Sequence, residues 1–148
     1  MNKLLSELLL FVPKRNMSDH AKAAATVRAF LKAKGIQASV RSESFAGGTS
    51  LNVTLIDAKR SQVKMVREME SLFEYGDYNP FADIYLPKPL DKENTLPKVK
   101  YFISQARFTE DMLAHISDWA YGDAERIREI RVYEDDDFWN DYEKNGEV

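Results

Sequence analysis

Cysteine is absent and only two histidines occur in the 148 residues, so most thiol and soft-metal chemistry is excluded at the outset. His20 and His115 fall on separate predicted helices, and neither has a second His or Cys at ligand spacing, so no zinc set is expected. His115 reads as a helix-surface residue rather than a base. Asp77 and Asp83 sit in a Tyr-rich stretch and have the oxygen chemistry to share a hard cation. With Tyr78 and Arg41 they make the nearest approach to a catalytic cluster, but the acid spacing of a calcium loop is missing. Gly47-Gly48 lacks both the dinucleotide fingerprint and the Lys and Ser of a phosphate loop, so it reads as turn chemistry. The expectation is a protein that is not an enzyme and uses no metal and no cofactor.

Charge is the stronger signal. Residues 1–67 hold 12 Lys and Arg against 4 Asp and Glu, whereas residues 68–148 hold 9 against 20, so a net charge of −3 conceals halves of +8 and −11. Such polarity points to a charged partner, or to halves that neutralise each other on folding. The basic candidates for nucleic-acid contact are Lys22, Arg28, Lys32, Arg41, Lys59, Arg60, Lys64 and Arg67. The acidic candidates are Glu134, Asp135, Asp136, Asp137 and Asp141, interleaved with Phe138, Trp139 and Tyr142. Clustered carboxylates can imitate a phosphate backbone and occupy a nucleic-acid groove on another protein, or fold over the basic half of the same chain. The three aromatics argue for docking, since a purely solvating tail has little use for them.

The elements that would position these groups can be read from periodicity. Ile36, Ala38 and Val40 alternate with polar residues, as do Leu51, Val53 and Leu55, and Gly47-Gly48 lies between them. That pattern predicts a β-hairpin over 36–57 with a loop of several residues. A helix is expected near 19–34, with Ala24, Val27, Phe30 and Leu31 inward and Gly35 as its stop, and another near 60–75, with Val63, Val66, Met69, Leu72 and Phe73 inward. Phe81 to Leu86 is confined by Pro80 and Pro87 to a short strand or extended segment. Residues 98–104 alternate again, with Val99, Tyr101 and Ile103 expected on one side and Lys100 and Phe102 on the other. Thr109 should cap a fourth helix that buries Met112, Leu113, Ile116, Trp119 and Ala120. Ala124 to Tyr133 suits either a helix or a strand. The expected fold is α+β, a small antiparallel sheet (the 36–57 hairpin plus the strand near 98–104) covered by helices on one face.

Three parts follow: an N-terminal helix over 1–16, a single α+β domain over 17–133 and an acidic aromatic tail over 134–148. The first helix, with Leu4, Leu5, Leu8, Leu9 and Phe11, is apolar on most of its circumference and must dock on the domain or on a second copy of the chain. It is too short to span a bilayer and lacks the flanks of an export signal, so a cytoplasmic protein with no membrane contact is expected.

The stretch SVRSESFAGGTSLNVTLID, followed by a helix and then LFEYGDYNPFADIY, resembles large polyvalent protein associated domain number twenty-nine, found in phage and conjugative-element polyproteins. The likeness rests on Ser39-Val40-Arg41-Ser42, Gly47-Gly48, the second strand through Val53, Phe73-x-x-Gly76-x-Tyr78 and Asp83-x-Tyr85, and covers about residues 20–86. Leu55-Ile56-Asp57-Ala58 departs from the Asp-Gly-Pro turn of that family. The resemblance implies a small α+β module of mobile elements, with no catalytic residues to transfer. Combined with the acidic tail, it gives the first functional expectation: an accessory protein that blocks a host restriction, CRISPR or other nucleic-acid-handling component. Direct nucleic-acid binding through the eight basic residues is the alternative, and an interaction domain of unknown function a second.

Overall fold

A computed structural model describes residues 2–116 other than 80, 83 and 90, and does not describe the side chains of 77–79, 113 and 116. The chain begins with α1 (Lys3–Leu9), started by Asn2, whose Oδ1 accepts from the Leu4 and Leu5 amides at 2.8 and 3.4 Å. Leu4, Leu5 and Leu8 enter the same core as the rest of the domain, against α2 (Asp19–Ala33). Phe11 meets Phe30 edge-on at 5.8 Å, and Glu7 pairs with Lys34 at 3.4 Å. Those leucines therefore find their apolar cover within the chain.

The hairpin is the spine of the sheet. Strands β1 (Ala38–Phe45) and β2 (Gly48–Ile56) pair antiparallel, with Val40 opposite Val53 and Phe45 opposite Gly48. The loop is only Ala46-Gly47, shorter than periodicity suggests, because pairing continues to Gly48, whose φ of 144° is open to glycine alone at little strain. Alternation places Val40, Leu51, Val53 and Leu55 inward, and α2 packs over β1 and β2. Arg28 Nη2 donates to the Val40 carbonyl at 2.9 Å, partnering an acceptor on this edge strand.

The third strand overturns the antiparallel expectation. After β2 the chain forms α3 (Arg60–Phe73), then a separate antiparallel hairpin of β3 (Gly76–Asn79) and β4 (Ile84–Pro87), and only then β5 (Tyr101–Arg107). The order is β1-β2-β5, and β5 runs parallel to β2, giving a mixed three-stranded sheet. The reason is connectivity: a strand returning through a helical crossover enters the sheet in the same direction as the one it left. Within β5 the expected alternation holds, with Phe102 buried on the helix side and Ile103 exposed on the other. Val99 is inward as well, but it belongs to an isolated bridge with Glu74 ahead of the strand, so one alternating run cannot describe both.

Helix α3 covers β5 with Val63, Val66, Met69 and Phe73. Phe73 packs on Phe102 at 5.6 Å, and Ser104 Oγ donates to Glu70 Oε1 at 2.5 Å. The helices thus share one sheet face, as expected, while Arg41, Glu43, Ile103 and Gln105 are exposed on the other. Of the residues expected in the core, Phe30, Leu31, Val40, Val53, Val66 and Phe73 are buried. Thr109 opens α4 (Glu110–Ile116), its Oγ1 accepting from the Met112 amide. Trp119, Ala120 and Ala124–Tyr133 lie outside the described residues.

Candidate nucleic-acid interface

The eight basic residues divide among three surfaces. Lys22, Arg28 and Lys32 belong to α2, where Arg28 is engaged with the Val40 carbonyl. Arg41 is exposed on β1, on the side of the sheet away from the helices, in register with Asn52 and through it Ile103. Lys59 precedes α3, and Arg60, Lys64 and Arg67 are on it.

Only the α3 group forms a row. At 100° per residue, Arg60, Lys64 and Arg67 fall within about 60° of one another and span about 10 Å of helix axis, whereas the α2 group is spread over about 120°. The α3 row points away from Val63, Val66, Met69 and Phe73, because the apolar residues that bury one stripe leave the opposite stripe to solvent. Lys64 and Arg67 are exposed, and neither has a hydrogen-bond or ion-pair partner among the described residues. Glu68 borders the row. Ser71 continues it by one turn, and its carbonyl accepts from Lys88 Nζ at 2.8 Å.

A second feature was not foreseen from sequence. Four rings meet where the β1–β2 turn, β5 and the β3–β4 hairpin converge: Phe45 stacks on Tyr101 (6.2 Å, 11° between planes), Tyr101 meets Tyr85 at 6.1 Å, and Tyr85 meets Tyr75 at 5.8 Å. Lys100 Nζ stands 5.0 Å from the centre of the Tyr85 ring and 5.5 Å from that of Tyr101, and donates to the Gly47 carbonyl at 2.8 Å. The Tyr85 hydroxyl donates to the Lys100 carbonyl at 3.2 Å, which fixes the hairpin to the sheet. Phe45 and Tyr75, at the two ends, are 45% and 40% exposed.

The remaining candidates are not brought together. His20 is on α2 and His115 is exposed on α4, and no group of three His, Cys, Asp or Glu among the described residues could hold a metal ion. Asp83 and the side chains of Asp77 and Tyr78 lie outside the described residues, as do Glu134, Asp135, Asp136, Asp137, Phe138, Trp139, Asp141 and Tyr142. Residues 1–116 hold 17 Lys and Arg against 13 Asp and Glu, and residues 117–148 hold 4 against 11, so the basic excess lies within residues 1–116. No described helix is long and apolar enough to cross a membrane. Compared with protein-family models, with curated proteins and with solved structures, the chain matches none of them.

Proposed function

We propose that the protein binds nucleic acid, with Arg60, Lys64 and Arg67 of α3 contacting phosphates. The single observation that supports this most is the alignment of those three cations on one outward stripe, about 10 Å long, which is enough to meet more than one successive phosphate of a strand. Such a row gains affinity by releasing condensed counterions and reads no base sequence. Lys88, bonded to the Ser71 carbonyl, lengthens the row at its end. The test is a fluorescence-anisotropy titration of duplex and single-stranded DNA across salt concentration. Binding should weaken steeply with salt, and Lys64→Gln with Arg67→Gln should flatten the log–log slope by about 0.9 per cation removed on duplex and about 0.7 on a single strand. Absence of saturable binding even at low salt sinks the reading.

A second reading has its own support in the acidic run Glu134–Asp137 and the net −7 of residues 117–148. Here the protein is a non-enzymatic accessory of a phage or mobile element that presents acidic surface to a host nucleic-acid-handling protein and blocks it. Capture of a nuclease or surveillance complex from host extract, lost when Asp135, Asp136 and Asp137 become Asn, in a protein that binds no DNA, is the result expected. Retention of the same complex by the Asn variant overturns it.

A further inference from the structure

We infer that Phe45, Tyr101, Tyr85 and Tyr75, with Lys100 among them, form a base-stacking subsite for single-stranded nucleic acid; this rests on the proposal that α3 holds phosphates. The first ground is continuity. Ser71 extends the cationic row of α3, Lys88 reaches its carbonyl, and the Lys88 amide donates to the Tyr75 carbonyl at 3.0 Å. These bonds set Tyr75 beside the C-terminal end of the α3 row, so a strand following the α3 cations reaches the rings by rounding the β5 edge of the sheet.

The second ground is what the rings leave open. The core already has its own aromatics in Phe30, Phe73 and Phe102, all buried, whereas Phe45 and Tyr75 remain nearly half exposed. Phe45 lies almost parallel to Tyr101 and is still 45% exposed, so part of its ring surface is open to solvent. The neighbouring Ala46 and Gly47 carry no bulk to cover it. Exposed ring faces beside cations are what unpaired bases stack on, and every base has such a face, so the subsite tolerates any sequence. The bases of a duplex are stacked on one another and cannot use these faces. Lys100, held by the Gly47 carbonyl and flanked by two rings, supplies charge for the phosphate between stacked bases.

The experiment measures binding of a twelve-nucleotide oligo-dT and a twelve-base-pair duplex to the full chain. The variants are Phe45→Leu and Tyr75→Leu, which keep apolar bulk, and Lys64→Gln with Arg67→Gln; unfolding midpoints check that each remains folded. Oligo-dT should bind more tightly than the duplex. Each Leu variant should weaken oligo-dT binding about tenfold while leaving duplex affinity and the salt slope unchanged. Phe45→Tyr should restore binding, because it returns the ring. Equal affinity for both probes, with the Leu variants indistinguishable from the parent, overturns the stacking subsite but leaves the α3 proposal standing. Failure of both probes to bind removes the α3 proposal, and the subsite with it.

Discussion

Asp57 grips Thr109 twice: its two carboxylate oxygens accept from the Thr109 amide at 2.7 Å and the Thr109 hydroxyl at 2.8 Å. The same Thr109 hydroxyl caps α4, so one acid at the end of β2 sets where the last described helix begins. Asp57 does this from a left-handed backbone, φ 53°, which Asp and Asn tolerate better than other side-chain-bearing residues. Asp57→Asn should leave stability close to the parent, because it keeps an acceptor and the backbone preference. Asp57→Gly loses the hydrogen bonds and relieves the backbone, so it should lower stability by about 1 kcal/mol; Asp57→Ala loses the hydrogen bonds and keeps the strain, at about 2 kcal/mol. Urea unfolding of the three variants checks the order. An Ala variant as stable as the Gly variant would contradict it.

Gly76 is where the β3–β4 hairpin meets the aromatic ladder. A Cβ added there would stand 2.5 Å from Tyr85 Cε1 and 2.6 Å from the Leu86 carbonyl oxygen, and that carbonyl cannot swing aside without disturbing strand pairing. Gly76→Ala should therefore destabilise locally by about 1–3 kcal/mol through overpacking. The signature is faster hydrogen exchange at the Lys88 amide, which bonds to the Tyr75 carbonyl, with exchange in the Val40–Val53 hairpin unchanged. Protection at Lys88 equal to the parent's would show that the hairpin accommodates a methyl group there.

The hairpin was legible because period two and a glycine turn agree over Val40, Val53 and Gly48, and both strands bury one face on α2. The direction of β5 was not, because alternation specifies which side chains point inward but carries no sign for strand direction. That sign comes from the crossover through α3, and the phase of Val99 and Phe102 was obscured by a break between bridge and strand. The α3 row was partly legible: helical spacing of Arg60, Lys64 and Arg67 is visible in the chain, but nothing in the sequence separates them from Lys22, Arg28 and Arg41, which lie on two other surfaces. The ring ladder was hidden for another reason. Phe45, Tyr75, Tyr85 and Tyr101 come from four separate segments, and they meet only because the β3–β4 hairpin folds back on the start of β5. The usable signal was Tyr75-Gly76 ahead of Tyr85, an aromatic followed by a glycine that leaves room for a second ring.

Lys98 provides the test of the long loop between β4 and β5. Its Nζ donates to Asn94 Oδ1 at 2.6 Å and to the Leu96 carbonyl at 3.1 Å, while Asn94 Nδ2 reaches the Leu72 carbonyl at the end of α3 at 2.9 Å. Burial of the amine lowers its pKa below the ordinary 10.5; the Asp91 charge opposes that shift and the Lys88 charge adds to it. Between the lowered folded value and 10.5 the unfolded chain holds more protons at this position than the folded one, so stability rises with pH across that interval. A neutral amine still has two hydrogens for Asn94 and Leu96, so the loop keeps its ties as the charge is lost. Replacing Lys98 with Met removes the titration. The stability of the parent relative to Lys98→Met should therefore increase as pH approaches 10.5 from below, with contributions of the tyrosines cancelling between the two proteins. Urea unfolding of both at neutral and alkaline pH measures it. A parent that loses ground to Lys98→Met over that range would mean that the surrounding carbonyls hold the ammonium form more strongly than burial opposes it.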